Sequence, residues 1–246
     1  MTRDSHDILT DPPPPAADAR LAYGDAPLQF GDLRVPDGDG PFALAVVVHG
    51  GYWQATYNLI HTGHMCVALA EAGIATWNVE YRSLGDVGGG WPSTGEDVLR
   101  AIEFVPELPL KPESIVVVGH SAGGQLALWA TKRVRLPVVA LAPVADVRDT
   151  VRRTGPEGAP ARFVGGSRFE ELSPLELLPL GVRQVLIHGT ADESVPYGMS
   201  ERYVAAAGGE AELITLEGAG HFELIDPQAR EWPRVLAAIR EVSRKK

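Results

Sequence analysis

The feature that most limits how this chain can fold is a series of strand-length runs that are apolar at nearly every position. Segments with helical spacing separate these runs along most of the chain. A strand that is apolar on both faces is covered on both faces, as in a mostly parallel sheet between layers of helices. The sequence therefore predicts an α/β fold. The runs are ALAVVV, IATWNV, SIVVVG, PVVALA, RQVLIH and AELITL.

Two further patterns complete the predicted architecture. Short strands at 20–23 and 28–35, joined by GDAP, predict an antiparallel hairpin at the edge of the sheet. The Gly-, Pro- and charge-rich interval at about 146–181 is too long for an ordinary connection, so we expect a small cap or lid over the carboxyl edge of the sheet. Helices are predicted around 61–72, 94–104, 122–133, 198–207 and 228–242.

Length and charge limit the classes of partner. The 246 residues, 45% of them apolar, suffice for one large domain, which we expect over 20–246 after a flexible, proline-rich leader at 1–19. A net charge of −10 argues against nucleic acid and anionic membranes as partners. The leader lacks the basic and apolar segments of a signal peptide, and Cys66 is the single cysteine, so we expect a cytoplasmic protein. Its oligomeric state stays open between a monomer and a homodimer.

The segment SIVVVGHSAGGQLALWA places Ser121 in a G-x-S-x-G turn between a predicted strand and a predicted helix. The turn is so tight that the serine takes a strained backbone conformation, and the flanking glycines prevent clashes. The hydroxyl then projects above the sheet, and the amide of Ala122 at the helix start points into the same space. Ser121 is the predicted nucleophile, and the Ala122 amide is a predicted oxyanion donor.

A serine nucleophile needs a base, and the base needs an orienting acid. His221 lies in the loop LEGAGHFELIDP after the last predicted strand and is the predicted base. Asp192 follows the neighbouring strand and is the predicted acid, with Asp146, one strand earlier, as the alternative. The chain order Ser121, Asp192, His221 differs from the trypsin-like and subtilisin-like orders and matches that of other G-x-S-x-G hydrolases.

The motifs HGGYWQ, VEYRS, GHSAGG, HGTADESVP and GAGHF together resemble the α/β-hydrolase superfamily from about residue 20 to the C-terminus. Within it they are similar to the esterase branch, which includes hormone-sensitive-lipase-like carboxylesterases, feruloyl and acetyl-xylan esterases, and arylformamidases. HGGYW is similar to the kynurenine formamidase signature. The resemblance implies the α/β-hydrolase fold and the same triad, with the amides of Gly51 and Ala122 in the oxyanion hole. The lipase-like pattern has a third glycine where this chain has Tyr52, whose amide is the predicted third donor.

The function predicted from these features is hydrolysis of a small carboxylic ester, or a related amide, through an acyl-enzyme and without a cofactor. Tyr52 and Trp53 are expected to wall the substrate cleft, and Trp91 either lines it or anchors its own loop. These aromatic residues favour a substrate with a planar or apolar moiety. The alternatives are an arylformamidase, a prolyl-oligopeptidase-like peptidase without its usual propeller, and a non-catalytic small-molecule binder on the same fold.

Other motifs are expected to be structural. His61 and His64, with Cys66 nearby, do not have the spacing of a zinc motif, so we expect no metal site, and Cys66 is predicted to be an inert core residue. The glycine-rich stretch EYRSLGDVGGGWP lacks a phosphate-binding G-x-x-x-x-G-K. Thr94 and Asp97, which follow it, are predicted to form a capping box at a helix start.

Overall fold

The computed structural model describes residues 12–244, and its centre is one eight-stranded sheet. The order across the sheet is β1-β2-β4-β3-β5-β6-β7-β8. β2 pairs antiparallel with both β1 and β4, and all other neighbours are parallel. The predicted fold class, with its antiparallel hairpin at one edge, is confirmed. The strands are β1 (Ala19–Ala22), β2 (Phe30–Arg34), β3 (Ala43–Val48), β4 (Ile74–Val79), β5 (Ser114–His120), β6 (Val138–Leu141), β7 (Gln184–Gly189) and β8 (Ala211–Leu216).

Helices flank this sheet at or near the predicted positions, and three short 3₁₀ segments accompany them in the described part of the chain. No helix within residues 12–244 combines the length and apolarity needed to cross a membrane. The helices are α1 (Gly63–Glu71), α2 (Ser93–Glu103), α3 (Ala122–Val134), α4 (Val147–Thr154), α5 (Ala159–Val164), α6 (Pro174–Leu177), α7 (Tyr197–Ala206) and α8 (Trp232–Ser243). The 3₁₀ segments are Leu59–Thr62, Val105–Glu107 and Phe169–Glu171.

Most of the apolar runs are buried on both sides, as their composition requires, whereas β8 at the edge of the sheet is partly exposed. In β3, Val46 and Val48 belong to one buried apolar cluster, whereas Ala45 and Val47 belong to a second cluster on the opposite face. Successive side chains of a strand point to opposite faces, so both faces of β3 carry a helical layer. The carboxyl ends of the parallel strands then meet at one edge of the sheet, where ligands bind in open α/β folds.

The interval between β6 and β7, where a cap is predicted and which is called the cap below, contains α4, α5 and α6. It packs against the loop before α2 and against α3. The backbone N–H of Trp91 donates to the carbonyl of Phe163 at 3.1 Å, and the indole N–H of Trp129 donates to the carbonyl of Glu171 at 2.9 Å. Short helices therefore form within this Gly- and Pro-rich interval.

The start of α2 differs from its prediction, and only part of the predicted leader can be compared with the structure. Thr94 and Asp97 do not cap α2: the Thr94 hydroxyl donates to the carbonyl of Arg82, and Asp97 forms a bidentate pair with the Arg82 guanidinium. The capping-box prediction is wrong because both side chains hold the preceding glycine-rich loop instead. Residues 1–11 of the predicted leader lie outside the described residues, whereas the Pro12 carbonyl meets His64 Nε2 at 2.8 Å.

Candidate active site

The predicted nucleophile lies on a strained turn between β5 and α3. Ser121 has φ 56° and ψ −119°, in the left-handed region that costs a non-glycine residue free energy. The turn needs its glycines: a Cβ at Gly119 would lie 2.3 Å from the Gly123 carbonyl oxygen, and one at Gly123 would lie 2.2 Å from that of His49. The strained turn that the sequence predicts is therefore present. It packs against the end of β3.

The predicted acid and base meet across two neighbouring loops. Nδ1 of His221 lies 2.6 Å from Oδ2 of Asp192, whose side chain is inaccessible to solvent. Because a carboxylate accepts, Nδ1 carries the hydrogen of this bond and Nε2 of the neutral imidazole is left free to accept a proton. The pair has the geometry of a general base with its orienting acid.

Asp192 is held as an anion by several donors. Its Oδ1 accepts the backbone N–H groups of Ser194 and Val195, each at 2.8 Å, and Nε2 of His188 lies 3.2 Å from its Oδ2. Burial alone would raise the pKa of Asp192, but the hydrogen bonds from His188 and His221 outweigh burial and lower the pKa well below its usual range. The carboxylate is therefore charged at neutral pH.

His188 is a site residue that the sequence reasoning did not assign. Its Nε2 lies 3.0 Å from the Val195 carbonyl as well as near Asp192, so this nitrogen faces two acceptors and must carry a hydrogen. Its Nδ1 lies 2.7 Å from the hydroxyl of the buried Ser200. The available signal was its position at the end of β7, four residues before Asp192.

A chain of buried histidines joins the predicted base to His120, the residue before the predicted nucleophile. The ring of His120, adjacent to Ser121, lies 4.6 Å from the His221 ring, and its Nε2 donates to the His221 carbonyl at 3.1 Å. Nδ1 of His120 is 3.2 Å from Nε2 of His61. Burial lowers the pKa of both His120 and His61, the latter to about 3, so both rings are neutral. Among the described residues, no group bonds to Ser121 Oγ, a contact that often tightens only with substrate.

The loop at 49–53 carries Gly51 and Tyr52, two of the predicted oxyanion donors, and is called the oxyanion loop below. It packs against the nucleophile. A Cβ at Gly50 would lie only 3.0 Å from the Ser121 Cβ, so the chain passes as close as glycine allows. Gly51 has φ 116°, and Tyr52, in the position of the third glycine, adopts a glycine-like φ of 50°. No described residue accepts a hydrogen bond from the amides of Gly51, Tyr52 or Ala122. The three predicted donors are thus unpaired, and Gly50, which directly precedes Gly51 and Tyr52, lies against the turn that carries Ser121.

The remaining histidine of this loop is structural. His49 stacks on Tyr81 with ring centroids 4.2 Å apart, and its Nε2 lies 3.0 Å from a carboxylate oxygen of Glu80. Its other ring nitrogen, Nδ1, is 2.7 Å from the Gly50 carbonyl. Glu80 also accepts the backbone N–H of Leu59, so the cluster ties the loop to β4 and to the following 3₁₀ segment.

The aromatic residues predicted to contact substrate occupy different places. Tyr52 is half-buried, and its hydroxyl lies 3.3 Å from the Ser194 carbonyl in the acid's loop. Trp53 is only 1% exposed and stacks on Phe163, so it lies behind the cleft wall rather than on its surface. Trp91 is half-buried against Trp129 and Phe163, where it anchors its own loop to the cap.

The alternative acid and the weak metal motif are not part of this arrangement. The side chain of Asp146 accepts the N–H of Asp149 and caps α4. His61 and His64 face different partners, and no group of three His, Cys, Asp or Glu side chains within residues 12–244 is placed to hold a metal ion. Cys66 is fully buried, as predicted, and burial raises the pKa of its thiol to about 12.

Comparison with known proteins extends these observations. The BD-FAE family model matches residues 32–135, which include the oxyanion loop and Ser121 but neither Asp192 nor His221. A kynurenine formamidase from Meyerozyma guilliermondii is 34% identical over 109 residues, covering 44% of this chain and 40% of that protein. A probable isoprenylcysteine alpha-carbonyl methylesterase from Oryza sativa subsp. japonica is 24% identical, covering 83% of this chain and 58% of that protein. The chain thus spans less than two thirds of each of these relatives.

Among solved structures, the truncated form of a carbohydrate esterase from gut microbiota superimposes with a TM-score of 0.77 at 21% identity. The match covers 95% of this chain and all of that chain. At this identity the likeness concerns the fold. Together with the family model, it confirms the predicted resemblance to α/β-hydrolases of the esterase type.

Proposed function

We propose that this protein hydrolyses small carboxylic esters with Ser121 as nucleophile, His221 as base and Asp192 as acid. The observation that carries the proposal is the 2.6 Å bond between His221 and Asp192, in which the His221 ring lies 4.6 Å from that of His120, the residue before a serine held at φ 56°. A strained serine on a strand-to-helix turn, next to an oriented imidazole, is the arrangement of an activated nucleophile.

In the proposed reaction, Ser121 Oγ attacks the ester carbonyl carbon while Nε2 of His221 takes the hydroxyl proton. The buried carboxylate of Asp192 stabilises the imidazolium, and the amides of Gly51 and Ala122 stabilise the oxyanion, with Tyr52 as third donor. Collapse breaks the ester bond, and His221 gives its proton to the departing alcohol. Water then attacks the acyl-enzyme with His221 again as base, which releases the acid and restores Ser121.

The relatives favour ester or amide hydrolysis over binding alone. The two relatives are a kynurenine formamidase and a probable isoprenylcysteine alpha-carbonyl methylesterase, and the superimposed structure is a carbohydrate esterase. All three cleave a carbonyl–heteroatom bond, which the site above could cleave without a cofactor. A non-catalytic binder would have no need of a strained serine beside an ion-paired histidine.

The test combines a mechanism-based label with a substrate panel. Wild type and Ser121→Ala are treated with a fluorophosphonate probe and then assayed on acetyl esters, feruloyl esters, N-formylkynurenine and aminoacyl amides. We expect labelling and ester turnover by wild type and neither by Ser121→Ala. A wild-type protein that resists the probe and matches Ser121→Ala on every ester would overturn the proposal in favour of a binder.

A second candidate is an arylformamidase, favoured by the segment shared with the kynurenine formamidase and by the HGGYW motif within the family-model match. The same triad would attack a formyl carbon and release an aryl amine instead of an alcohol. The comparison of kcat/KM for N-formylkynurenine and phenyl acetate decides between the two. A value at least about a hundredfold higher for the formyl amide, equal to about 2.7 kcal/mol of differential transition-state binding, would identify the formamidase.

A further inference from the structure

The oxyanion loop contains three consecutive residues in the left-handed region. Gly51, Tyr52 and Trp53 have φ values of 116°, 50° and 56°, and two of them are bulky aromatic residues. Each non-glycine residue in this region costs free energy, and it persists only where its surroundings over-determine it. Some contact must therefore hold this stretch, and the contact also fixes where its amides point.

The strongest hold is on Trp53. Its ring stacks on Phe163 of α5 with centroids 4.4 Å apart and planes 6° from parallel. Both side chains are almost fully buried, at 1% and 0% exposure. The indole N–H donates to Oε1 of Gln125 at 3.0 Å, so the ring is fixed by packing and by a directional bond.

Gln125 connects three parts of the site. It lies on α3, and its backbone N–H donates to the Ser121 carbonyl at 3.2 Å. While its Oε1 accepts from Trp53, its Nε2 donates to the Leu172 carbonyl of the cap at 2.8 Å. One fully buried side chain thus joins the nucleophile helix, the oxyanion loop and the cap.

We propose that Phe163 and Gln125 are positioning residues of the oxyanion hole, acting through Trp53 to aim the Gly51 and Tyr52 amides. The inference rests on the proposed function. The contacts of Trp53 with Phe163 and Gln125, called the brace below, then let the cap fix the backbone of the oxyanion loop. Amide direction matters most where the oxyanion develops, so loosening the brace lowers kcat and leaves KM nearly unchanged.

The test compares two Trp–Phe stacks in the same protein. Phe163→Leu removes the ring that stacks on Trp53. Phe104→Leu is the control: Phe104 directly follows α2, and its ring stacks on that of Trp77 with the two centroids 6.1 Å apart. Gln125→Met keeps the side-chain length and removes both polar contacts. We expect kcat for p-nitrophenyl acetate to fall about 10- to 100-fold in Phe163→Leu and Gln125→Met and less than about twofold in Phe104→Leu.

A second measurement separates positioning from general loosening. An aryl trifluoromethyl ketone forms a tetrahedral oxyanion with the serine, whereas the product carboxylate mimics the ground state. We expect the inhibition constant of the ketone to rise in step with the loss of kcat, with that of the product unchanged. If Phe163→Leu does not fold, Trp53→Phe, which keeps a ring against Phe163 and removes the N–H, is assayed in the same way.

The outcomes are distinct. A folded Phe163→Leu or Gln125→Met with wild-type kcat would overturn the inference, and so would a loss of kcat that the ketone does not follow. The same holds if Trp53→Phe, assayed in their place, retains wild-type kcat. Wild-type protein without turnover or fluorophosphonate labelling would instead refute the proposed function itself.

Discussion

Two carboxylates follow strands of the parallel sheet, and their surroundings give them different roles. Asp192 has four donors from neighbouring residues, one of them the predicted base. Asp146 accepts from the N–H of Asp149 at the start of α4 and lies 3.9 Å from the Arg202 guanidinium. Because the two side chains are chemically identical, their different expected roles come from the groups that surround them.

Asp192→Asn tests this assignment. The amide can occupy the same space, but it stabilises neither the imidazolium nor the required tautomer, so we expect kcat to fall by about 10³- to 10⁴-fold. Asp146→Asn is the matched control, because asparagine caps a helix about as well as aspartate and activity should be unchanged. Steady-state kinetics on one ester suffice, and the reverse ranking of the two variants would move the acid to Asp146.

At the residue scale, the sequence suggests roles that follow from local position and gives little signal for roles that depend on a neighbour in space. Ser121, Asp192 and His221 could be proposed as a triad because each follows a strand end in a known order. His188 and His120 also lie at strand ends, but their roles depend on partners that lie 4 to 101 residues away in the chain. Trp53 was expected in the cleft, and only its left-handed backbone turns the ring towards the cap.

At the scale of elements, replacing either of two helical glycines by alanine is expected to change the stability of the fold in opposite directions. A Cβ at Gly123 of α3 would meet the backbone oxygens of Val48 and His49, at the end of β3, at 2.2 Å, whereas one at Gly198 of α7 meets only flexible side-chain ends at 3.7 Å. Gly123→Ala should therefore destabilise the fold by about 3 kcal/mol or more. Gly198→Ala should stabilise it by about 0.4–1 kcal/mol, since alanine reduces the freedom of the unfolded chain.

Urea unfolding followed by far-UV circular dichroism measures both changes. The comparison also tests how tightly α3 and β3 are packed, because that packing sets the distance between the oxyanion loop and Ser121. Equal stability of Gly123→Ala and wild type would mean that the two elements can move apart. In that case the strained turn would not depend on β3.

The elements themselves were predictable to different degrees. Ala43–Val48 and Ile74–Val79 have the bounds of their apolar runs because both strands are buried along their whole length. Ala211–Leu216 also has the bounds of its run, although it lies at the edge of the sheet and is mostly half-buried. The cap helices have four to eight residues each, and such short helices depend on tertiary packing rather than on a periodic pattern. The failed capping box has the same origin: Arg82, distant in sequence, competes for both side chains.

At the scale of the whole molecule, buried neutral histidines couple folding to pH. His61 and His120 are 4% and 1% exposed, and burial lowers the pKa of both, with His61 at about 3. In the unfolded chain a histidine has a pKa of about 6.5, so unfolding takes up protons below that value. The stabilisation is complete above about pH 6.5 and is lost progressively as the pH falls towards 3.

We therefore expect the free energy of unfolding to decrease between about pH 6.5 and pH 5 with a slope of up to about 1.4 kcal/mol per pH unit for each buried histidine. Asp192 also has a lowered pKa, but its contribution is present above about pH 3.8 and is lost only below it, outside this window. Urea unfolding of wild type and His61→Gln at several pH values measures the slope. In His61→Gln the pH slope of the free energy of unfolding should be about half that of wild type, because His120 still takes up its proton on unfolding. An unchanged slope would show that His61 is not the neutral group that its burial implies.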